Sequence, residues 1–220
     1  MADDLDDFIR RVDLDRWLSS RFVTDAQARA DIIALYAFDH ELSRGVAIAS
    51  NPLIAQIRLT WWREALDEIY DGRAVRAHPV ARRLSDIIAR RRLPRVPLDS
   101  LIEARIAVCD VETLSAEQAR VWADQVGGAT AMLAAGILDP DASSDAAAAG
   151  AFWALARLAH GTAALAANLA ILRAAAAEGA KKVSPRAFPA IAHATLAMRQ
   201  GESRLVKQAR LVFAFALGRI

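Results

Sequence analysis

The chain has 220 residues, a formal net charge of +2, 55% hydrophobic residues and a single cysteine, Cys109. That length supports one sizeable core, and a lone cysteine excludes both an intrachain disulfide and a multi-cysteine zinc cage. So small a net charge makes no case for nucleic acid, and with no charge-free run of bilayer length no transmembrane segment is expected.

The acidic start "MADDLDDF" lacks the basic-then-apolar order of a secretory signal. The expected setting is therefore reducing and cytoplasmic, with peripheral contact to an inner membrane left open. Apolar spacing is helical nearly throughout, and no run alternates with period two. Asp25 caps a helix reaching about Ala49, and Pro52 starts the next, which ends near Gly72. A third runs from Pro79 to Arg92 and stops at the "LPRVPL" break. Two more cover Leu98 to Asp110 and Ser115 to Leu138, and "DPDASSD" follows as a linker. Asp145 then opens a long helix on which Leu155, Leu158, Thr162, Leu165, Leu169 and Leu172 form one stripe that neighbours must cover. Pro185 and Pro189 punctuate the next start, and Gly201 divides off a final stretch ending near Gly218. The alanine-rich span 146–177 is helix-forming composition. Together these predict an all-α, single-domain bundle of about seven to nine helices over residues 1–220.

The stretch "IRLTWWREALDEIYDGR" (57–73) looks like a site. On a helix from Pro52, however, Ile54, Ile57, Trp61, Ala65 and Ile69 share a face, which makes Trp61 core and turns Trp62 toward an edge beside Arg58. Arg63 and Asp67 read as a surface pair. Asp67 and Asp71 stand one turn apart, a spacing that suits magnesium, but a second acidic helix would have to face them and none is evident.

Taken in order, "DLDRWLSSRF" (13–22), "ALYAFDHELSR" (34–44), "IRLTWWREALDEIYDG" (57–72), "HPV" (78–80) and "LIEAR" (101–105) resemble the squalene/phytoene synthase family. "WADQVGGATAML" and "NLAILRAAAAEGAKKVSP" resemble its mid-chain helix and its second acidic-motif region, so the likeness spans roughly residues 10–185. The resemblance implies an isoprenoid synthase fold with a central cavity. In active members two aspartate-rich helices hold diphosphates through magnesium while two prenyl chains are joined head to head. The positions corresponding to the first acidic motif are Ser43, Arg44 and Ala47. In the second, Arg173 is kept, Ala174 stands for the first aspartate, and Glu178 for the second. Arginine and alanine cannot ligate magnesium, and without metal the charge developing on a diphosphate leaving group goes uncompensated. The expectation is a non-catalytic protein with no catalytic residue, no metal ligand and no cofactor. "YAFDHELSR" with "NPLIAQIRLTWWREAL" is similar to a branch that includes the mitochondrial complex I assembly factor, in which the metal-binding acids have likewise decayed.

Asp39 lies on an apolar stripe with Ala28, Ile32, Leu35, Leu42 and Val46, so it needs a cationic partner such as Arg58 or Arg173. Otherwise it forms a polar cavity floor with Glu41, Asn168 and Glu178. Arg82, Arg83, Arg90, Arg91, Arg92 and Arg95 form the strongest charge cluster, read as cations at a helix C-terminus, with an anionic lipid or protein surface as the rival. His40, His78, His160 and His193 show no ligand spacing; His160 is set down as a core histidine, and Cys109 has no base beside it. Gly127, Gly128 and the alanines of 129–136 and 163–170 serve close helix packing or line a slot for an isoprenoid or other lipid. The leading reading is a binding or assembly protein at a membrane-associated respiratory complex. Its rivals are a prenyl transferase acting on prenyl diphosphates, with an altered acid set and magnesium, and a plain helical adaptor.

Overall fold

The computed structural model describes residues 2–142, 144–158, 163–199 and 201–220. Their regular structure is all helical, with no strand among the described residues. In chain order the helices are α1 (Ala2–Val12), α2 (Leu14–Ser20), α3 (Ala26–Ala47), α4 (Pro52–Tyr70) and α5 (Pro79–Arg91). They are followed by α6 (Arg95–Ile106), α7 (Ala116–Leu138), α8 (Ala147–Leu158), α9 (Ala166–Ala180) and α10 (Arg204–Leu217).

Local chemistry explains the starts. The side chains of Asp13, Asp25 and Asn51 each accept a hydrogen bond from the backbone N–H three residues on. Ser115 and Gln118 close a reciprocal capping box. Each such cap stabilises a helix end by about 1 kcal/mol. Pro52 and Pro79 occupy first-turn positions where the missing N–H is harmless. Arg92 ends α5 in the left-handed region, at φ 51°, and Gly218 ends α10 at φ 59°.

α3 is the organising helix. Ile32, Ile33, Ala34, Leu35, Tyr36, Ala37 and Phe38 are all buried, so its middle is enclosed on every side. It packs against α1, α4, α5, α6 and the second half of α7. α7 is long and apolar enough to cross a membrane by length and composition alone, but 67% of its most apolar window is buried in the bundle, which marks it as a core helix. Residues Asp124–Gly128 form a π turn within it, and that turn seats Gly127 against Gly150 of α8. A Cβ on Gly127 would lie 2.2 Å from the Gly150 carbonyl oxygen, so the two backbones touch.

Two sequence expectations fail here. The buried line of α4 is Ala55, Leu59, Trp62, Ala65 and Leu66, whereas Ile57 is 57% exposed. Trp62 meets Phe38 of α3 edge-on at 5.2 Å, while Trp61 is half-buried under the Arg76 guanidinium. α4 carries apolar residues on two adjacent arcs, and the arc of Leu59, Trp62 and Leu66, rather than that of Ile57 and Trp61, faces the core. Arg58 makes no cation–π contact with Trp62 among those described. The second failure is the long helix from Asp145: α8 and α9 are separate helices packed on one another. His160 and Thr162 lie outside the described residues. Of the proposed stripe, Leu155, Leu165 and Leu172 are buried but Leu158 is 40% exposed. The segment after Pro185 forms short 3-10 turns, Phe188–Ala190 and Ala192–Leu196, before α10.

Candidate functional site

Three buried charges meet at the centre of the bundle. Arg16 of α2 and Arg105 of α6 each take one carboxylate oxygen of Asp39 of α3: Arg16 Nη1 donates to Oδ2 at 2.6 Å, and Arg105 Nη2 to Oδ1 at 2.6 Å. The Asp39 side chain is 8% exposed and each arginine side chain 4%. Burial alone would raise the Asp39 carboxyl, but the Arg105 and Arg16 charges outweigh it and hold it below the usual carboxylate range. Arg105 also donates to the Ser43 hydroxyl and the Leu101 carbonyl. The Arg16 guanidinium lies 4.2 Å from the Trp153 ring and 5.0 Å from that of Tyr36. Arg58 and Arg173, the partners expected for Asp39, are not the ones it has.

Around this clamp sits a ring of buried polar side chains. Trp153 and His193 meet edge-on at 5.1 Å, and burial, with the Arg16 and Arg157 charges adding, drives the His193 imidazole well below its ordinary pKa. Burial likewise pushes the Tyr36 phenol up. Nearby, Lys207 of α10 donates to buried Asp15 at 2.6 Å. Neither Arg16 nor Arg105 was singled out from sequence, although both lie in quoted motifs, "DLDRWLSSRF" and "LIEAR". A buried carboxylate signals that a cation is needed but not which of many arginines supplies it.

The expected cavity residues separate into two groups. On α3, Glu41 pairs with Arg44 at 2.8 Å, Ser43 donates to the Asp39 carbonyl, and Ala47 is exposed. On α9, Asn168 donates to the Ala116 carbonyl and Glu178 pairs with Lys181 at 2.6 Å, while Arg173 and Ala174 are exposed. α9 packs chiefly on α8 through Leu172, Ala176 and Ala180, and among the described residues no hydrogen bond or ion pair joins the two groups. The α3 group is itself divided between grooves. Ser43 and Arg105 reach an open, largely apolar groove of about 380 Å³ with Val46, Leu114, Trp122 and Leu165. Glu41 and Arg44 face another, of about 420 Å³, with Ile57, Trp61 and His78.

The "DEIYD" run is neutralised by arginines. Asp67 pairs with Arg95, Glu68 with Arg76 at 2.9 Å, and Asp71 with Arg73 at 3.0 Å. The pair expected between Arg63 and Asp67 is replaced by Arg63–Glu103. The basic cluster is spent largely in the same way: Arg90 and Arg91 both clamp buried Asp31, and Arg83 lies 3.6 Å from Asp86.

A family model described as squalene/phytoene synthase matches residues 9–168, a span that holds the clamp, α3 to α8 and the start of α9. The chain belongs to the squalene/phytoene synthase family. Its bundle is accordingly the all-α isoprenoid synthase fold. A protein of Dictyostelium discoideum named "NADH dehydrogenase (ubiquinone) complex I, assembly factor 6 homolog" is 26% identical over 97 residues. That stretch is 44% of this chain and 27% of the relative, so the chain covers little more than a quarter of that protein's length.

Active family members work through magnesium held by two acidic helices, and the described residues at the corresponding positions do not converge as such a site. Among the described residues no group of three or more His, Cys, Asp or Glu side chains is arranged to hold a metal. Asp39 has both oxygens committed to arginines, and Glu41 and Glu178 each carry a cation of their own. Octahedral magnesium needs several convergent oxygens, and Ser43, Arg44, Ala47 and Ala174 offer one hydroxyl between them.

Proposed function

We propose that this family member is non-catalytic and acts as a binding or assembly protein at a membrane-associated respiratory complex. The observation that carries the first half is the Arg16–Asp39–Arg105 clamp: it spends on internal ion pairs the buried carboxylate one helical turn before Ser43. Catalysis of diphosphate departure requires charge placed where the leaving group develops its own, and the described residues offer no convergent carboxylates to bring magnesium there. The assembly half is supported by the likeness to a protein named as a complex I assembly factor homolog. The apolar groove beside Ser43, Val46 and Trp122 supports an isoprenoid or lipid ligand as part of the binding role. A cytoplasmic position, peripheral to the inner membrane, follows from the same reading.

Two measurements test it. Purified protein is heated with farnesyl or geranylgeranyl diphosphate, with and without magnesium, and diphosphate release is followed. The expected result is no magnesium-dependent shift in melting temperature and no diphosphate; a ligand at 100 times its Kd would otherwise add about 2.7 kcal/mol. A magnesium-dependent shift accompanied by product restores the prenyl transferase reading. In the native host, deletion of the gene is expected to lower assembled NADH dehydrogenase, and Glu178→Ala or Arg44→Ala chains are expected to restore it. Normal assembly in the deletion strain refutes the assembly role.

A further inference from the structure

α10 presents its apolar face outward. Lys207, Leu211 and Ala214 seat the helix on the bundle, with Lys207 bonded to Asp15 and Phe215 stacked on Phe22 at 3.9 Å. The inner face is therefore occupied, and the helix cannot roll its other side inward without breaking a buried ion pair. On that other side Leu205 is 78% exposed, Val212 55%, Phe213 67% and Leu217 65%, with Ala209 and Ala216 between them. Their spacing of four, three or one places them on one continuous stripe. A soluble surface seldom presents so many large apolar side chains in one line.

Charge identifies the occupant. Residues 203–220 contain Arg204, Lys207, Arg210 and Arg219 and no acid. Glu202, the acid next to this stretch, is taken by Arg210 through bonds of 2.7 and 2.8 Å. Arg204, whose guanidinium lies 5.2 Å from the Trp17 ring, and Arg219 are exposed near the two ends of the stripe, and neither holds an ion pair among the described residues. A second copy of this chain would bring cations to cations with no carboxylate to meet them. An apolar stripe with cations at its ends matches an anionic lipid surface, where the side chains enter the acyl boundary and the arginines meet the headgroups.

We propose that the outer face of α10, from Leu205 to Leu217, docks the protein on an anionic membrane surface. The surface is distinct from the clamp and from both grooves on α3, and it does not depend on the assembly role.

The full-length protein is floated with vesicles of phosphatidylcholine, with and without phosphatidylglycerol, at low and high salt. It is expected to float with the anionic vesicles only, and less at high salt, where screening shortens to about 3 Å near 1 M. A Val212→Glu, Phe213→Glu double variant is expected to bind roughly tenfold more weakly or worse, because two apolar side chains no longer enter the acyl region. An Arg204→Glu, Arg219→Glu variant should bind more weakly as well. Val212 and Phe213 are exposed, so that variant is expected to melt with the wild type; Arg204 also lies over the Trp17 ring, so the arginine variant is expected to melt slightly lower, and circular dichroism checks both. The proposal is overturned by a wild type that does not float, by equal flotation on neutral vesicles, or by a Val212→Glu, Phe213→Glu variant that floats as well as the wild type. It is overturned too if light scattering shows a dimer that Phe213→Glu dissolves, which would assign the stripe to a second copy.

Discussion

Replacing Asp39 by asparagine removes one charge and leaves the shape nearly intact, which makes it the sharpest probe of the clamp. Arg16 and Arg105 would then lie buried without the carboxylate that both now bond. Breaking a buried pair in this way costs about 3–5 kcal/mol. Two features moderate the figure: Asp13 lies 3.7 Å from Arg16, and Arg105 keeps its bonds to Leu101 and Ser43. Against a typical total of about 5–15 kcal/mol, the variant should remain folded or sit at the edge of folding. Urea unfolding near neutral pH measures the loss, and Arg58→Ala and Arg173→Ala serve as controls that should change stability little. The deficit should also depend on pH. The folded Asp39 carboxyl lies below its unfolded value of about 3.9, so its contribution is present above that pH and is lost as pH falls through the folded value. A loss under about 1 kcal/mol for Asp39→Asn, the scale of a surface pair, would refute the clamp as the organising contact.

Three further outcomes follow from packing and burial. Trp62→Ala should cost about 3–5 kcal/mol as a buried aromatic, and Trp61→Ala clearly less; equal losses in thermal melts would contradict the phase of α4. Gly150→Ala would set a Cβ 2.1 Å from the Gly127 carbonyl oxygen and should destabilise by about 1–3 kcal/mol, whereas Gly45→Ala, with Arg58 Cβ at 3.7 Å, should be neutral or stabilising. His193 is neutral in the fold, with a pKa well below its unfolded value of about 6.5, so stability is full above that pH and falls as pH drops toward the folded value. His193→Gln should narrow the stability gap between about pH 8 and pH 5, and denaturant titrations showing an unchanged gap would contradict the assignment.

The caps and breaks were legible because they are local. Asp25 and Ser115 mark helix starts through side-chain bonds to nearby backbone N–H groups, Pro52 and Pro79 through a fixed φ that suits a first turn, and Gly218 marks an end through its left-handed φ; the structure places those ends within a few residues. Facing was harder to read. α4 has Ile54, Ile57 and Trp61 on one arc and Leu59, Trp62 and Leu66 on the next, and only the position of Phe38 on α3 decides between them. Between α8 and α9 the sequence offers no proline and only Gly161 as a weak helix breaker, so their separation was poorly signalled. For the site, periodicity flagged Asp39 as a carboxylate among apolar neighbours, but its partners lie 23 and 66 residues away in sequence. Spacing rules reach across a turn or two of helix and not across a bundle.

The clamp and the close helix contact bear on the same question. A pocket that grips magnesium diphosphate must leave carboxylate oxygens free and must keep room between the helices that carry them. At Asp39 both oxygens are consumed by Arg16 and Arg105, and the pair ties α2, α3 and α6 together. At Gly127 and Gly150 the backbones meet, so small residues that could have lined a slot close it instead. Restoring a carboxylate at Arg44 alone would therefore not rebuild a metal site, because Asp39 would stay engaged and Glu178 would stay on the helix that packs against α8. Arg44→Asp is expected to leave the protein without a magnesium-dependent thermal shift. If that single change produced one, Asp39 would have to be free to leave its arginines, and the clamp would be a latch rather than a fixed part of the core.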